Sequence, residues 1–282
     1  MFARGLTKAT VALRAYSGAR AASSARKPII GGNWKCNAGK GTTLQTVDTL
    51  LAGLKENPPA DHIEVFCAPP SPYLMRVGDA LDSFSLSSQN VHTGPATGAF
   101  TGEVSAEMLV DLGAKWSLVG HSERRSIYGE TDEIVTSKIA ACHKAGLGVV
   151  ACCGEQLEDR ESGNTEAVLA PQLQAIADGA AGNWEDDALV IAYEPVWAIG
   201  TGVVATPQQA QDTIAWIRNW ISENVSAEAA AAVRIQYGGS VNAENCAELS
   251  ALPDVDGFLV GGASLDAEGF KTIYTGLAEA SA

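Results

Sequence analysis

Eight short apolar runs, separated by longer amphipathic stretches, limit what this chain can fold into. The runs are Ile29–Trp34, Ile63–Ala68, Phe84–Asn90, Trp116–Gly120, Leu147–Cys152, Ala188–Tyr193, Val233–Tyr237 and Gly257–Val260. Most are rich in Val, Ile, Leu or Phe and lack a clean apolar–polar alternation, the pattern of parallel strands buried on both faces. The stretches between them have helical spacing, as in Glu133–Ala145 and Thr206–Asn224. Thr206-Pro207 supplies a cap residue and a first-turn proline, and Gly146 after Lys144 marks a helix stop. Eight strands alternating with helices over about 255 residues predict one domain, a (β/α)₈ barrel, spanning residues 28–282. The rival is an open doubly wound sheet. No Gly-x-Gly-x-x-Gly follows the first run, which argues against it.

Barrels of this kind build their sites where strands end. Asn33-Trp34-Lys35 follows the first run, His121-Ser122-Glu123 the fourth and Glu194-Pro195 the sixth. Gly238-Gly239-Ser240 follows the seventh and Gly261-Gly262 the eighth. A lone His or Glu at a strand end is commonly structural, but here several ionisable residues converge on one rim. The glycine doublets follow the last two strands, where such barrels bind phosphate through backbone N–H groups and a short helix N-terminus. Read blandly, they are tight turns that need positive φ.

The segment from Glu194 to Gly202 has proline at one end, small residues at the other and Trp197 and Ile199 between. It reads as a lid with hinges at its ends, closing Trp197 and Ile199 over the site to exclude water. The bland reading is a buried apolar loop.

Together these residues resemble the triosephosphate isomerase family. The matching strings are Gly-Gly-Asn33-Trp34-Lys35, Val-Gly-His121-Ser-Glu123-Arg124-Arg125, Tyr193-Glu194-Pro-Val-Trp-Ala-Ile-Gly-Thr-Gly, Tyr-Gly-Gly-Ser240-Val and Gly261-Gly262-Ala-Ser-Leu. The resemblance runs from about Lys27 to the C-terminus. It implies a TIM barrel that interconverts dihydroxyacetone phosphate and D-glyceraldehyde 3-phosphate through an enediolate, in glycolysis and gluconeogenesis. Glu194 would be the base and His121, as a neutral imidazole, the electrophile, the assignment known for the family. Lys35 would place positive charge by the enediolate, supported by Asn33, with Glu123 orienting Lys35 and His121. Gly200, Ser240, Gly261 and Gly262 would hold the phosphate. No metal or organic cofactor is implied. The alternatives are another phosphate-binding barrel isomerase and a catalytically dead scaffold. Intact Glu194, His121 and Lys35 argue against the scaffold.

The resemblance also implies a homodimer. The loop Gly98-Ala99-Phe100-Thr101-Gly102-Glu103 would enter the neighbouring subunit near Cys36. Thr101 would brace the partner's Asn33, and Glu103 would meet Arg124 across the interface. The bland reading is a loop packed on its own chain.

Residues 1–27 are a different object. They hold Arg4, Lys8, Arg14, Arg20, Arg26 and Lys27 and no acidic residue, within a chain of net charge −14. Phe2, Leu6, Ala9, Leu13 and Tyr16 recur at helical spacing. An Arg-rich, acid-poor amphipathic start resembles an organelle transit peptide, and Arg14-Ala15-Tyr16 before Ser17 resembles a mitochondrial processing site. A plastid address and an unaddressed basic tail stay open, the latter leaving the protein cytosolic. The acidic body argues against a nucleic-acid partner. No apolar run approaches the roughly 18–20 residues of a membrane span. The six cysteines fit neither a zinc site nor a disulfide scaffold and read as thiols, Cys153 at a place where an apolar residue is expected and Cys36 as a thiol-sensitive point of the dimer.

Overall fold

The computed structural model describes residues 26–184, 188–201 and 203–281. Residues 1–25 of the basic extension, and Gly202 of the lid string, lie outside the described residues. Eight parallel strands close into a barrel in simple chain order. They are β1 (Ile29–Asn33), β2 (Glu64–Ala68), β3 (Ser85–Ser88), β4 (Trp116–Val119), β5 (Gly148–Cys153), β6 (Leu189–Tyr193), β7 (Arg234–Tyr237) and β8 (Gly257–Val260). Each lies within about two residues of its predicted run. β1 closes the ring by pairing β8, with Ile29 opposite Gly257 and Gly32 opposite Val260.

The absence of alternation has a direct cause: each strand is buried on both faces. On β5, Val150 and Cys152 join Ile29, Phe66, Trp116, Leu118 and Val190 inside the barrel. Val149, Ala151 and Cys153 point outward into a second layer beneath the helices. Cys153 therefore packs as a small apolar residue. All six cysteines are free thiols, and burial pushes those of Cys67, Cys142 and Cys153 up to about 12.

The helices are α1 (Leu44–Lys55), α2 (Leu74–Ala80), α3 (Ala106–Asp111), α4 (Ser122–Tyr128), α5 (Asp132–Ala145), α6 (Leu157–Glu161), α7 (Thr165–Ala180), α8 (Pro207–Asn224), α9 (Ala227–Ala232), α10 (Cys246–Ser250) and α11 (Ala267–Ser281). The Thr206 hydroxyl accepts from the Gln209 N–H, and the Gln209 side chain answers to the Thr206 N–H, a capping box that starts α8. Gly146 ends α5 in the left-handed region at φ 79°. No helix among the described residues is long and apolar enough to cross a membrane.

The strand N-termini form a floor of buried ion pairs. Glu64 accepts from Trp116 Nε1 at 2.8 Å and Ser85 Oγ at 3.0 Å, and meets Lys115 at 2.7 Å and Arg234 at 3.1 Å. Asp256 binds Arg218 at 2.8 Å and Arg26 at 2.9 Å and accepts the Ile235 N–H. Arg26, which composition groups with the basic extension, is thus bound into the barrel, and the folded body includes it.

Candidate active site

The opposite ends of the strands surround a pocket of about 620 Å³. Nine residues singled out from the sequence line it: Asn33, Lys35, His121, Glu123, Glu194, Gly200, Ser240, Gly261 and Gly262.

Asn33 ends β1 and is buried, and its Oδ1 accepts the Lys35 N–H at 2.9 Å. Lys35 sits in the left-handed region at φ 52°, a conformation that costs a non-glycine residue about 1–3 kcal/mol. Gln89, just past β3, offsets that strain by donating Nε2–H to the carbonyls of Lys35 and Ala68, each at 2.8 Å. The sequence reading missed Gln89, because a tie between two loops leaves no spacing signal. The Lys35 ammonium meets Glu123 Oε1 at 2.6 Å, and Glu123 Oε2 lies 3.8 Å from His121 Nδ1. Glu123 is therefore placed between the two groups it was expected to orient.

His121 caps α4, and its Nδ1 accepts the Glu123 N–H at 3.2 Å. Burial lowers the proton affinity of the imidazole, and the Glu194 carboxylate raises it above the ordinary range. The Glu123 N–H works against that rise. It fills the Nδ1 lone pair that a second proton would need, which assigns the single ring proton to Nε2. That Nε2–H then donates to Glu194 Oε1 at 3.0 Å.

Glu194 follows β6 and is 2% exposed. Its backbone is fixed by a 2.8 Å bond from its N–H to the Cys153 carbonyl, and its Oε2 accepts the Ser122 N–H at 2.9 Å. Burial raises its carboxyl, but the attraction of His121, the two hydrogen bonds and the Lys35 charge together hold it below the usual carboxylate range. It is ionised at neutral pH, as a base must be. Gly238 leaves room for it: a Cβ there would lie 2.9 Å from Glu194 Cγ.

The glycine doublets are not turns that need positive φ, since none of Gly238, Gly239, Gly261 and Gly262 has one. They bring backbone to the pocket wall. Gly262 opens a 3₁₀ turn, Gly262–Leu265, whose first N–H groups have no partner within the turn.

The lid expectation changes in one respect. Val196, Ile199 and Gly200 line the pocket, but Trp197 does not. Its indole is turned away and buried: Nε1 donates to Glu155 Oε1 at 2.9 Å, and Arg160 lies 5.7 Å over the ring. Tyr193 O–H donates to the same oxygen at 3.0 Å. Burial raises the Glu155 carboxyl despite these donors. Trp197 is therefore the anchor of this segment, and Ile199 its face toward the site. Ser240 donates both N–H and O–H to the Ala198 carbonyl, at 3.2 and 2.7 Å, so the lid and the loop after β7 hold one another.

These features define a parallel α/β barrel with an ionised carboxylate, an imidazole and an ammonium facing a backbone-lined pocket at its carboxyl rim. The chain belongs to the triosephosphate isomerase family, whose model matches residues 28–277. It is 50% identical over 248 residues to a chloroplastic triosephosphate isomerase of Secale cereale, covering 88% of this chain and 80% of the relative. A chloroplastic form from Arabidopsis thaliana is 49% identical over 261 residues, 92% of this chain and 80% of that one. A triosephosphate isomerase of Dictyostelium discoideum is 49% identical over 248 residues, 87% of this chain and 94% of that one.

Proposed function

We propose that this chain interconverts dihydroxyacetone phosphate and D-glyceraldehyde 3-phosphate. The observation that carries the chemistry is the ionised Glu194 carboxylate, buried beside the Nε2–H of His121 at 3.0 Å and sharing a pocket with Lys35. Glu194 takes the proton from the carbon beside the carbonyl. The C–H electron pair becomes the C=C bond of an enediolate, and the carbonyl oxygen takes the charge. His121 donates from Nε2 toward that oxygen and Lys35 balances it, so the charge forms where donors already point. Asn33 and Glu123 hold Lys35 in place. Backbone N–H groups of Gly200, Ser240, Gly261 and Gly262 hold the phosphate. His121 passes a proton between the two enediolate oxygens, so that the old carbonyl becomes a hydroxyl and the old hydroxyl a carbonyl. Glu194 returns its proton to the neighbouring carbon, completing an isomerisation that belongs to glycolysis and gluconeogenesis. A coupled assay of glyceraldehyde 3-phosphate turnover tests this reading. No turnover by the folded protein would reject it.

The working unit in this reading is a homodimer. Phe100 is 41% exposed at the tip of the loop between β3 and α3, and Met108, Ile127 and Tyr128 are exposed on α3 and α4. Such apolar side chains favour a protein partner. The Phe100 ring rests on His92, with centroids 4.4 Å apart, and Glu103 meets His92 at 3.4 Å. Arg124 meets Glu130 within its own chain. Pairing Glu103 with Arg124 across an interface would exchange these contacts. Cys36 is exposed near the expected docking point of Thr101. Sedimentation equilibrium should give twice the chain mass for the wild type and dissociation for Phe100→Ser.

Residues 1–25 read as a cleaved organelle address, mitochondrial by the Arg14-Ala15-Tyr16 string. Two of the relatives are chloroplastic by name, which keeps a plastid as the alternative. A fluorescent reporter fused to residues 1–30 should co-localise with a mitochondrial marker. A plastid or cytosolic signal would reject the mitochondrial address.

A further inference from the structure

The loop after β7 carries a second layer of bonds that the reaction as described does not use. Ser240 lines the pocket, its N–H and hydroxyl both donate to the Ala198 carbonyl, and its own carbonyl accepts Asn245 Nδ2–H at 2.9 Å. The same Asn245 side chain accepts the Asn242 N–H on Oδ1, also at 2.9 Å. Asn242 answers in kind: its Oδ1 accepts the N–H groups of Glu244 at 2.8 Å and Asn245 at 3.1 Å, and its carbonyl accepts the Cys246 N–H at 3.1 Å. The five bonds close a small cage over residues 240–246. Short amide side chains that bond their own backbone make turns of this kind without help from distant residues.

The cage fixes one peptide plane that matters. The Ser240 carbonyl belongs to the Ser240–Val241 peptide, so the Asn245 bond sets the ψ of Ser240 and, with it, how its N–H and hydroxyl sit relative to the pocket. Gly238 and Gly239 precede it and carry no side chain to hold the loop from that direction. Of the bonds from Ser240 to neighbouring segments, those on the pocket side go to Ala198 of the lid, which a bound anion would have to replace. The bond on the far side goes to Asn245 and can persist through that exchange.

We infer that Asn245 is a positioning residue for phosphate binding: it holds the Ser240 backbone so that its N–H stays aimed at the anion when the lid lets go. The inference rests on the proposed function for the phosphate role of Ser240 as well as for the identity of the substrate, and direct phosphate binding tests that role apart from turnover.

The experiment uses the full chain with Asn245→Ala and Asn245→Asp. Inorganic phosphate binding, measured by calorimetry, should weaken about 3- to 10-fold in Asn245→Ala, the equivalent of one hydrogen bond. KM for glyceraldehyde 3-phosphate should rise by the same factor. kcat/KM for unphosphorylated glyceraldehyde should stay at the wild-type value, because that substrate does not use Ser240. If Asn245→Ala does not fold, Asn245→Asp carries the test. It keeps the acceptor for the Asn242 N–H, replaces the donor to Ser240 with an oxygen and adds a negative charge, so phosphate affinity should fall at least as far as expected for Asn245→Ala while kcat/KM for unphosphorylated glyceraldehyde holds. Unchanged phosphate affinity would overturn the inference. So would an equal loss with both aldehydes, which would mark Asn245 as merely structural. A wild-type protein that binds phosphate without isomerising would count against the proposed function and leave Asn245 testable by calorimetry.

Discussion

The two ends of the barrel use the same residue types for opposite purposes. At the floor, the Glu64 carboxylate meets Arg234, Lys115, Trp116 and Ser85, and every one of these partners is part of the protein. At the rim, Glu194 is more deeply buried than Glu64, at 2% against 7% exposed, yet its partners are few and one of them, His121, faces the pocket. A buried carboxylate surrounded by permanent donors is locked in its charge. One whose partners border an open pocket can exchange them for substrate. The same contrast holds for cations: Arg218 is taken up by Asp254, Asp256 and three backbone carbonyls, whereas Lys35 holds a strained backbone and its ammonium reaches the pocket.

The largest expected effect follows at the rim. Glu194→Gln should lower kcat about 10²- to 10⁴-fold, since a positioned base contributes on that scale. Its unfolding temperature should fall less than that of the floor variant Glu64→Gln: the lowered carboxyl shows that the charge contributes stability, but its partner His121 borders the pocket and can be solvated when the charge is gone. Steady-state kinetics beside thermal melts check both halves. A variant that melts as early as a floor variant would break the contrast.

At the floor the balance between activity and stability reverses. Glu64→Gln should leave kcat unchanged and cost about 3 kcal/mol or more of stability, because it removes the anion from a buried cluster that includes Arg234 and Lys115. Burial raises the Glu64 carboxyl, but its bonds to Lys115 and Trp116 and the Arg234 charge hold it at about 2, against an ordinary 4.5. The folded value is the lower one. The stabilisation is therefore complete above the unfolded value and is lost as pH falls from about 4.5 toward 2. Urea unfolding of both proteins at pH 7 and pH 3 should show the gap between them narrowing at the lower pH. A gap that widens would reject this assignment.

The contrast also separates what the sequence revealed from what it concealed. The strands were legible because burial on both faces removes polar positions, as on β5, and the start of α8 because Thr206-Pro207 announces it locally. The rim residues were legible because a strand end is a place in the chain, so Asn33, His121 and Glu194 could be read off the ends of their runs. Glu64 and Arg234 are separated by 170 residues, and nothing in their local sequence marks them as partners. Gln89 and Asn245 were missed because they act on backbone carbonyls, which every residue possesses. Trp197 was placed on the wrong side of the lid, because Glu155, which anchors its indole, lies 42 residues away. The Lys35 backbone strain, too, is invisible to composition or period.

The smallest expected effect probes where the floor begins. Arg26 binds Asp256 at 2.9 Å and donates to the Ala231 carbonyl at 3.2 Å, with its side chain 11% exposed. Removing Arg26 leaves Asp256 charged and still held by Arg218 and the Ile235 N–H, whereas Glu64→Gln removes the anion that Arg234 and Lys115 share. Arg26→Gln should therefore cost less than Glu64→Gln, about 1.5–3 kcal/mol for a hydrogen bond to a charged group. For a chain of this size each kcal/mol lowers the melting temperature by about 2–4 °C. kcat should not change, because the floor lies at the opposite end of every strand from the pocket. The same variant bears on any removal of the basic extension: cleavage beyond Arg26 would strip the barrel of a floor contact, and cleavage before it would not. A melting temperature equal to the wild type's would place Arg26 outside the fold's energetics and move the start of the folded body to β1.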